Sequence, residues 1–236
     1  MANIGPLPPV PFPVVIPHSS AISSSQCRPA SELETLRQAL QFKPLEIPSI
    51  SLNFQKLYRG GMTEIYGPIS SGRTACLLAV LAHATQQGEI CAMVDTADQF
   101  DPKSAHLVGV CLENLVWIRC QGRVEHAIRA ADMLIHTGGF GIVALDLCAT
   151  PIKLLNKIPL SYWFRFRRAI ASTPTIFLVS APFPQSNSCS LNKLSLGSKA
   201  FIWYGSPGFR LLAGMNVTGR LHKPVKGGQE SLVLAA

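Results

Sequence analysis

The run Gly67-Pro68-Ile69-Ser70-Ser71-Gly72-Arg73-Thr74 meets the pattern G-x-x-x-x-G-K-[ST] everywhere except at the lysine, which is arginine here. Residues of these types at this spacing hold phosphate, because small residues let consecutive backbone N–H groups converge on an anion and a terminal hydroxyl reaches a metal ion. Gly67, Pro68, Ser70, Ser71, Gly72, Arg73 and Thr74 are therefore candidate nucleotide-binding residues. Lysine would place a compact ammonium on a slim stem, whereas Arg73 brings a longer planar fork with a different aim. The exchange weighs against catalysis more than against binding.

The surrounding elements suit that chemistry. A strand over 63–66 (TEIY) enters the loop, and a helix over 73–87 leaves it and is closed by Gly88. Further strands are expected at 90–95, 115–119, 142–146, 175–180 and 200–204, with helices at 102–108, 123–137 and 160–172. Strands this apolar, alternating with helices, call for a mostly parallel sheet covered on both faces, an α/β fold. Residues 209–222 read as one or two strands around a turn at Asn216 to Gly219. Asp146 ends the apolar strand IVALD, where it suits either a metal-side carboxylate paired with Thr74 or a simple strand-end cap.

Outside this core, residues 1–29 are rich in Pro and Ser and read as an extended tail without the features of a secretory signal. Residues 30–56 carry a short helix, ASELETLRQALQF, capped by Ser31 and Glu34, and then a proline-punctuated linker. The domain proper is expected over 57–223 and a tail over 224–236, whose apolar ESLVLAA suits a short partner-binding motif. No window approaches a membrane span. Seven cysteines without a C-x-x-C pair point to reduced thiols in a cytoplasmic core, and the scattered histidines to no zinc site.

The net charge of +8 is unevenly placed. Residues 1–150 carry ten Lys/Arg against twelve Asp/Glu, whereas 151–236 carry eleven against the single acid Glu230. That imbalance suits contact with a polyanion such as nucleic acid. In "SYWFRFRRAI" helical spacing sends Trp163, Phe166 and Ile170 to the sheet and Arg165 and Arg168 outward, available to DNA or to a partner protein.

The segments "GGMTEIYGPISSGRT", "GEICAMVDTADQFDPKSAHLVGVCLENLVWIRC" and "GIVALDL" resemble the RecA recombinase core in order and spacing, over roughly residues 57–223. Within that superfamily the S-S-G-R-T loop, "RAADMLIHTGGFGIVALDL" and "IPLSYWFRFRRAI" look most like the ImuA family of translesion-synthesis accessory proteins. The resemblance implies a RecA-like P-loop core that binds ATP and Mg, and a role in damage-induced mutagenesis. It implies, as partners, single-stranded or damaged DNA, the RecA filament, an ImuB-type polymerase-like protein and a DnaE-type polymerase, all in the bacterial cytoplasm.

The same resemblance marks departures. The position of the water-positioning glutamate is Ala97, with Asp98 displaced by one residue; the Asn-Gln pair after the fifth strand is Ser180 and Ala181; the base-stacking aromatic is Ser104. Asp101 remains as the base-side group. These losses imply no meaningful turnover. The DNA path implied by the resemblance runs along 148–159, with Lys153 and Lys157, and along 181–198, with Asn187, Asn192 and Lys193; Arg220, Lys223 and Lys226 extend the basic set. Two other readings are a DNA-dependent ATPase or recombinase that tolerates Arg73, and a SulA-like inhibitor of cell division.

Overall fold

The computed structural model of the chain describes residues 42–47, 56–206, 208–223 and 229–235. The expected tail over 1–29, most of the helix after it, and Lys226 lie outside these residues. Apolar runs with β-branched residues form the strands, and helical runs of leucine and alanine bridge them. In chain order the elements are β1 (Leu45–Glu46), β2 (Lys56–Leu57), β3 (Gly61–Tyr66), α1 (Arg73–Gln86), β4 (Cys91–Asp95), α2 (Pro102–Leu107) and β5 (Leu115–Arg119). There follow α3 (Val124–Thr137), β6 (Ile142–Asp146), α4 (Ile152–Leu155), α5 (Leu160–Ile170), β7 (Ile176–Ala181), β8 (Asn192–Tyr204), β9 (Leu211–Lys223) and β10 (Gln229–Ala235).

The main sheet has the order β10-β9-β8-β3-β7-β6-β4-β5. From β5 to β8 every neighbour is parallel, and β9 and β10 add antiparallel pairs at one side. This is the mostly parallel α/β sheet that the apolar runs required. Successive residues of the central strands serve opposite faces. Met93, Ala144 and Leu178 pack with α1 residues such as Leu77 and Leu81, while Val94, Val143 and Phe177 pack with Ile128 of α3 and Trp163 and Phe166 of α5. The edge between Phe166 and Phe177 is a T-shaped ring contact at 5.1 Å, a geometry that the ring quadrupole favours.

Five sequence expectations change. The linker carries β1 and β2, paired antiparallel. The stretch 148–159 holds the short helix α4. β9 runs unbroken through Asn216 to Gly219, where a turn was expected, because those residues pair in register with both β8 and β10. β8 begins at Asn192 rather than near 200, so residues 192–198 of the expected DNA-path segment 181–198 are strand. The backbone of 229–235, expected as part of a free tail, pairs with β9 as an edge strand.

Candidate functional site

The glycine-rich loop lies at the carboxyl end of β3, in the place where open parallel sheets bind ligands. Gly72 adopts φ 86°, left-handed backbone that glycine accepts without strain, and Ser70 shares it at φ 59°. The first helical hydrogen bond of α1 runs from the Cys76 N–H to the Gly72 carbonyl at 2.9 Å. The N–H groups of Arg73, Thr74 and Ala75 therefore have no partner within the helix, and the positive end of a 14-residue dipole points out of the loop. A Cβ on Gly67 would lie 2.2 Å from the Leu196 carbonyl oxygen and 2.8 Å from Ser71 Oγ, so the cradle is pressed against β8.

Arg73 is 7% exposed, and its Nη1 is buried without a hydrogen-bond partner, as is Ser71 Oγ. A buried guanidinium nitrogen left unpaired is costly unless an anion completes it. Its charge is felt at the end of β6. Burial pushes the Asp146 carboxyl up from its ordinary range, hydrogen bonds from Cys148 and the charge of Arg73 oppose that rise, and Asp95 adds to it. The cradle, the orphan donors and the exposed Thr74 thus fit a polyphosphate with its cation. Asp146 also accepts the Cys148 N–H on Oδ1 at 3.0 Å, the hydrogen bond of a strand-end cap.

The remaining acidic groups are engaged elsewhere. Asp95 accepts the N–H groups of Gln99 at 3.0 Å and Phe100 at 2.8 Å, and the Trp117 Nε1–H at 3.3 Å. Asp98, at φ 56°, turns to Arg119 with an ion pair of 3.1 Å. Its carboxylate is thus engaged with the end of β5 and, through the Gln121 N–H, with the turn after it. Ser180 Oγ lies 2.9 Å from Cys148 Sγ, whose thiol burial and the neighbouring Asp146 drive upward. Asp101 caps α2: its oxygens accept the N–H groups of Lys103 at 3.2 Å and Ser104 at 3.1 Å, and the Ser104 hydroxyl. Those bonds hold its carboxyl below the usual range.

The basic candidates separate. Lys153 and Lys157 are exposed at and just after α4, and Arg165 and Arg168 on α5 face outward as helical spacing required. Arg165 pairs with Asp132 of α3. Lys193 is a correction: it stands on β8, almost buried, with Nζ 3.1 Å from Glu64 Oε2. The pairing of β3 with β8 sets Glu64 opposite Lys193 in register and takes the lysine out of any DNA path. Asn192 is likewise buried, donating to the Lys56 carbonyl. Arg220 lies on β9, and Lys223 ends that strand opposite Lys193.

Residues that the sequence did not single out complete the surroundings. The Glu64 carboxylate also accepts the N–H groups of Gln185 and Ser186 and the Ser186 hydroxyl, at 2.5, 3.1 and 2.6 Å, and so ties the segment after β7 to the strand that carries the phosphate loop. Beside Gly67, a cleft of about 340 Å³ is bordered by Ser195, Leu196, Arg220 and His222. The His222 ring lies 6.0 Å from Tyr66, whose hydroxyl burial makes less acidic. Arg220 and His222 stand two apart on one strand face, the one signal in the sequence that could have drawn them together.

The comparisons agree with this geometry. Residues 45–155 match the family model of the RecA N-terminal domain. Over 100 residues, 42% of the chain, the sequence is 39% identical to the protein RecA of Rhodospirillum rubrum, and the match spans 27% of that relative. Identity to the protein RecA of Methylococcus capsulatus is also 39%, over 28% of its length. The chain thus matches little more than a quarter of these curated relatives. In solved structures the fold is similar to the RadB recombinase, with a TM-score of 0.55 and 17% identity over 77% of this chain and 90% of that one. The domain is RecA-like in fold and, across the phosphate loop and β4 to β6, in sequence.

Proposed function

We propose that this chain is a RecA-like DNA-repair accessory protein that binds nucleotide without turning it over, and that it acts in translesion synthesis in the manner of the ImuA family. One observation carries the reading: the phosphate cradle is complete, while among the described residues no carboxylate near it is placed to position water. Gly67, Gly72, the N-terminal N–H groups of α1 and the buried Arg73 would hold the phosphates. Thr74 and Asp146 would hold the magnesium ion. When bound, that ion offsets phosphate charge and fixes the chain of phosphates in place.

Losing the group that positions the attacking water slows phosphoryl hydrolysis by about 10²- to 10⁴-fold. Here Ala97 offers a methyl, Asp98 is held by Arg119, and Ser180 is held by Cys148. In this reading bound nucleotide is a structural ligand that sets the shape of the loop after β7 through β3 and Glu64. The exposed basic residues of α4 and α5 contact single-stranded or damaged DNA or the RecA filament, and the chain brings a polymerase assembly of ImuB and DnaE type to it. Such a protein works in the bacterial cytoplasm. Among the described residues no helix is long and apolar enough to cross a membrane.

The test measures ATP binding and phosphate release with single-stranded DNA present, for the wild type, Thr74→Ala and Asp146→Ala. Binding that weakens in both variants, with phosphate release at background in all three proteins, is expected. DNA-stimulated release that disappears in both variants overturns the reading in favour of a DNA-dependent ATPase.

A further inference from the structure

We infer that the projecting end of the β8–β9 hairpin is a base-stacking surface for single-stranded nucleic acid, an inference that rests on the DNA contact proposed above and gives it a place. β3 pairs with β8 only as far as Ser195, and β10 pairs with β9 only from Gly214 onward. Beyond those points residues 200–204 and 211–212 have each other as sheet partners and nothing else among the described residues. The ribbon therefore leaves the body of the domain. Register shifts at Ser198/Ala200 and Ile202/Trp203 twist it as it does so.

What the ribbon carries is unusual for a free end. Trp203 is 54% exposed, Tyr204 75% and Phe209 85%, with Phe201, Ile202 and Leu211 exposed beside them. Of the other described aromatics, Trp163, Phe166 and Phe177 are buried, most of the rest are half-buried, and Phe164 is 37% exposed. Phe201 and Trp203 share one face of β8 with ring centroids 6.5 Å apart, and Tyr204 points to the other face. Rings thus stand on both sides of a narrow rib.

Two features select the occupant. Beyond the ion-paired Lys193, residues 194–223 hold four Lys/Arg and no Asp or Glu, so the hairpin is complementary to a polyanion. A folded protein partner also wants a continuous apolar face on one side. Rings divided between two faces and bordered by cations instead suit a flexible strand, whose phosphates follow the charges while its bases, each with two π-faces, lie on the rings.

The test uses the full chain and a fluorescein-labelled thirty-residue oligo-dT, with anisotropy read across a salt series. Base–aromatic stacking at one or two rings predicts that Trp203→Ala with Phe209→Ala weakens binding about tenfold or more at an unchanged salt slope, since no phosphate contact is removed. Trp203→Phe keeps a ring and stays within about threefold of the wild type. Circular dichroism confirms that the exposed substitutions leave the fold intact. Wild-type binding with equal affinity in the double variant overturns the hairpin assignment and leaves the DNA reading standing. No binding by the wild type at low salt overturns both. Concentration-dependent self-association that the double variant abolishes, with oligo-dT affinity unchanged, makes the rib a contact between copies and overturns the inference.

Discussion

Gly67 sits where β3 turns against β8, and the Leu196 carbonyl 2.2 Å from its missing Cβ leaves room for hydrogen alone. Because the obstacle is backbone, Gly67→Ala forces the cradle and β8 apart, with a loss of about 1–3 kcal/mol in stability. We expect a lower midpoint in urea and loss of ATP binding, checked by denaturation and by titration with a fluorescent ATP analogue; unchanged values for both contradict the described packing. Arg73 follows a different logic. Its substitution for lysine was evident from the octapeptide, but its burial and its unpaired Nη1 were not, since whether a guanidinium reaches solvent depends on what the ends of β6 and β7 place around it. Asp98 is similar. The resemblance singled out its neighbour Ala97, whereas its own ion pair with Arg119 required the pairing of β4 and β5.

The connection between β3 and β8 is a parallel pairing that joins elements far apart in the chain, and it carries a nearly buried ion pair, Glu64 with Lys193. Removing one partner of such a pair strands the other charge, which typically costs about 3–5 kcal/mol. Lys193→Met is therefore expected to lower stability by that amount in chemical denaturation; Lys153→Met, on the exposed α4, should change it by less than about 0.5 kcal/mol. Equal effects of the two substitutions contradict the buried position of Lys193. The helices and central strands were readable from their periodicity: α1, α3, α5 and β4 to β7 stand within a residue or two of the expected bounds. β8 was read short because its first residues, "NKLSLGSK", are polar and small, and only the backbone of β3 and β9 on either side makes them a strand.

Across the whole molecule, the eleven basic residues and single acid of 151–236 act as a field before they act as contacts. Oligo-dT affinity should fall with salt on a log–log slope near −0.7 for each phosphate neutralised. Neutralising Lys157 or Arg168, both exposed, reduces that slope by about 0.7, and neutralising Lys193 leaves it unchanged. A slope near zero for the wild type would show that the charge serves another purpose. The strand–loop–helix at 61–86, the two-faced apolar strands and the charge imbalance are all written in residues close together in the chain, because glycine sterics, side-chain periodicity and composition act locally. Which lysine meets water, which aromatic leaves the core and which carboxylate stays free near the phosphate loop are properties of partners brought together from distant segments. Those followed from the strand order, since burial and ion pairing depend on what lies alongside in space, and a sequence lists only what lies alongside in the chain.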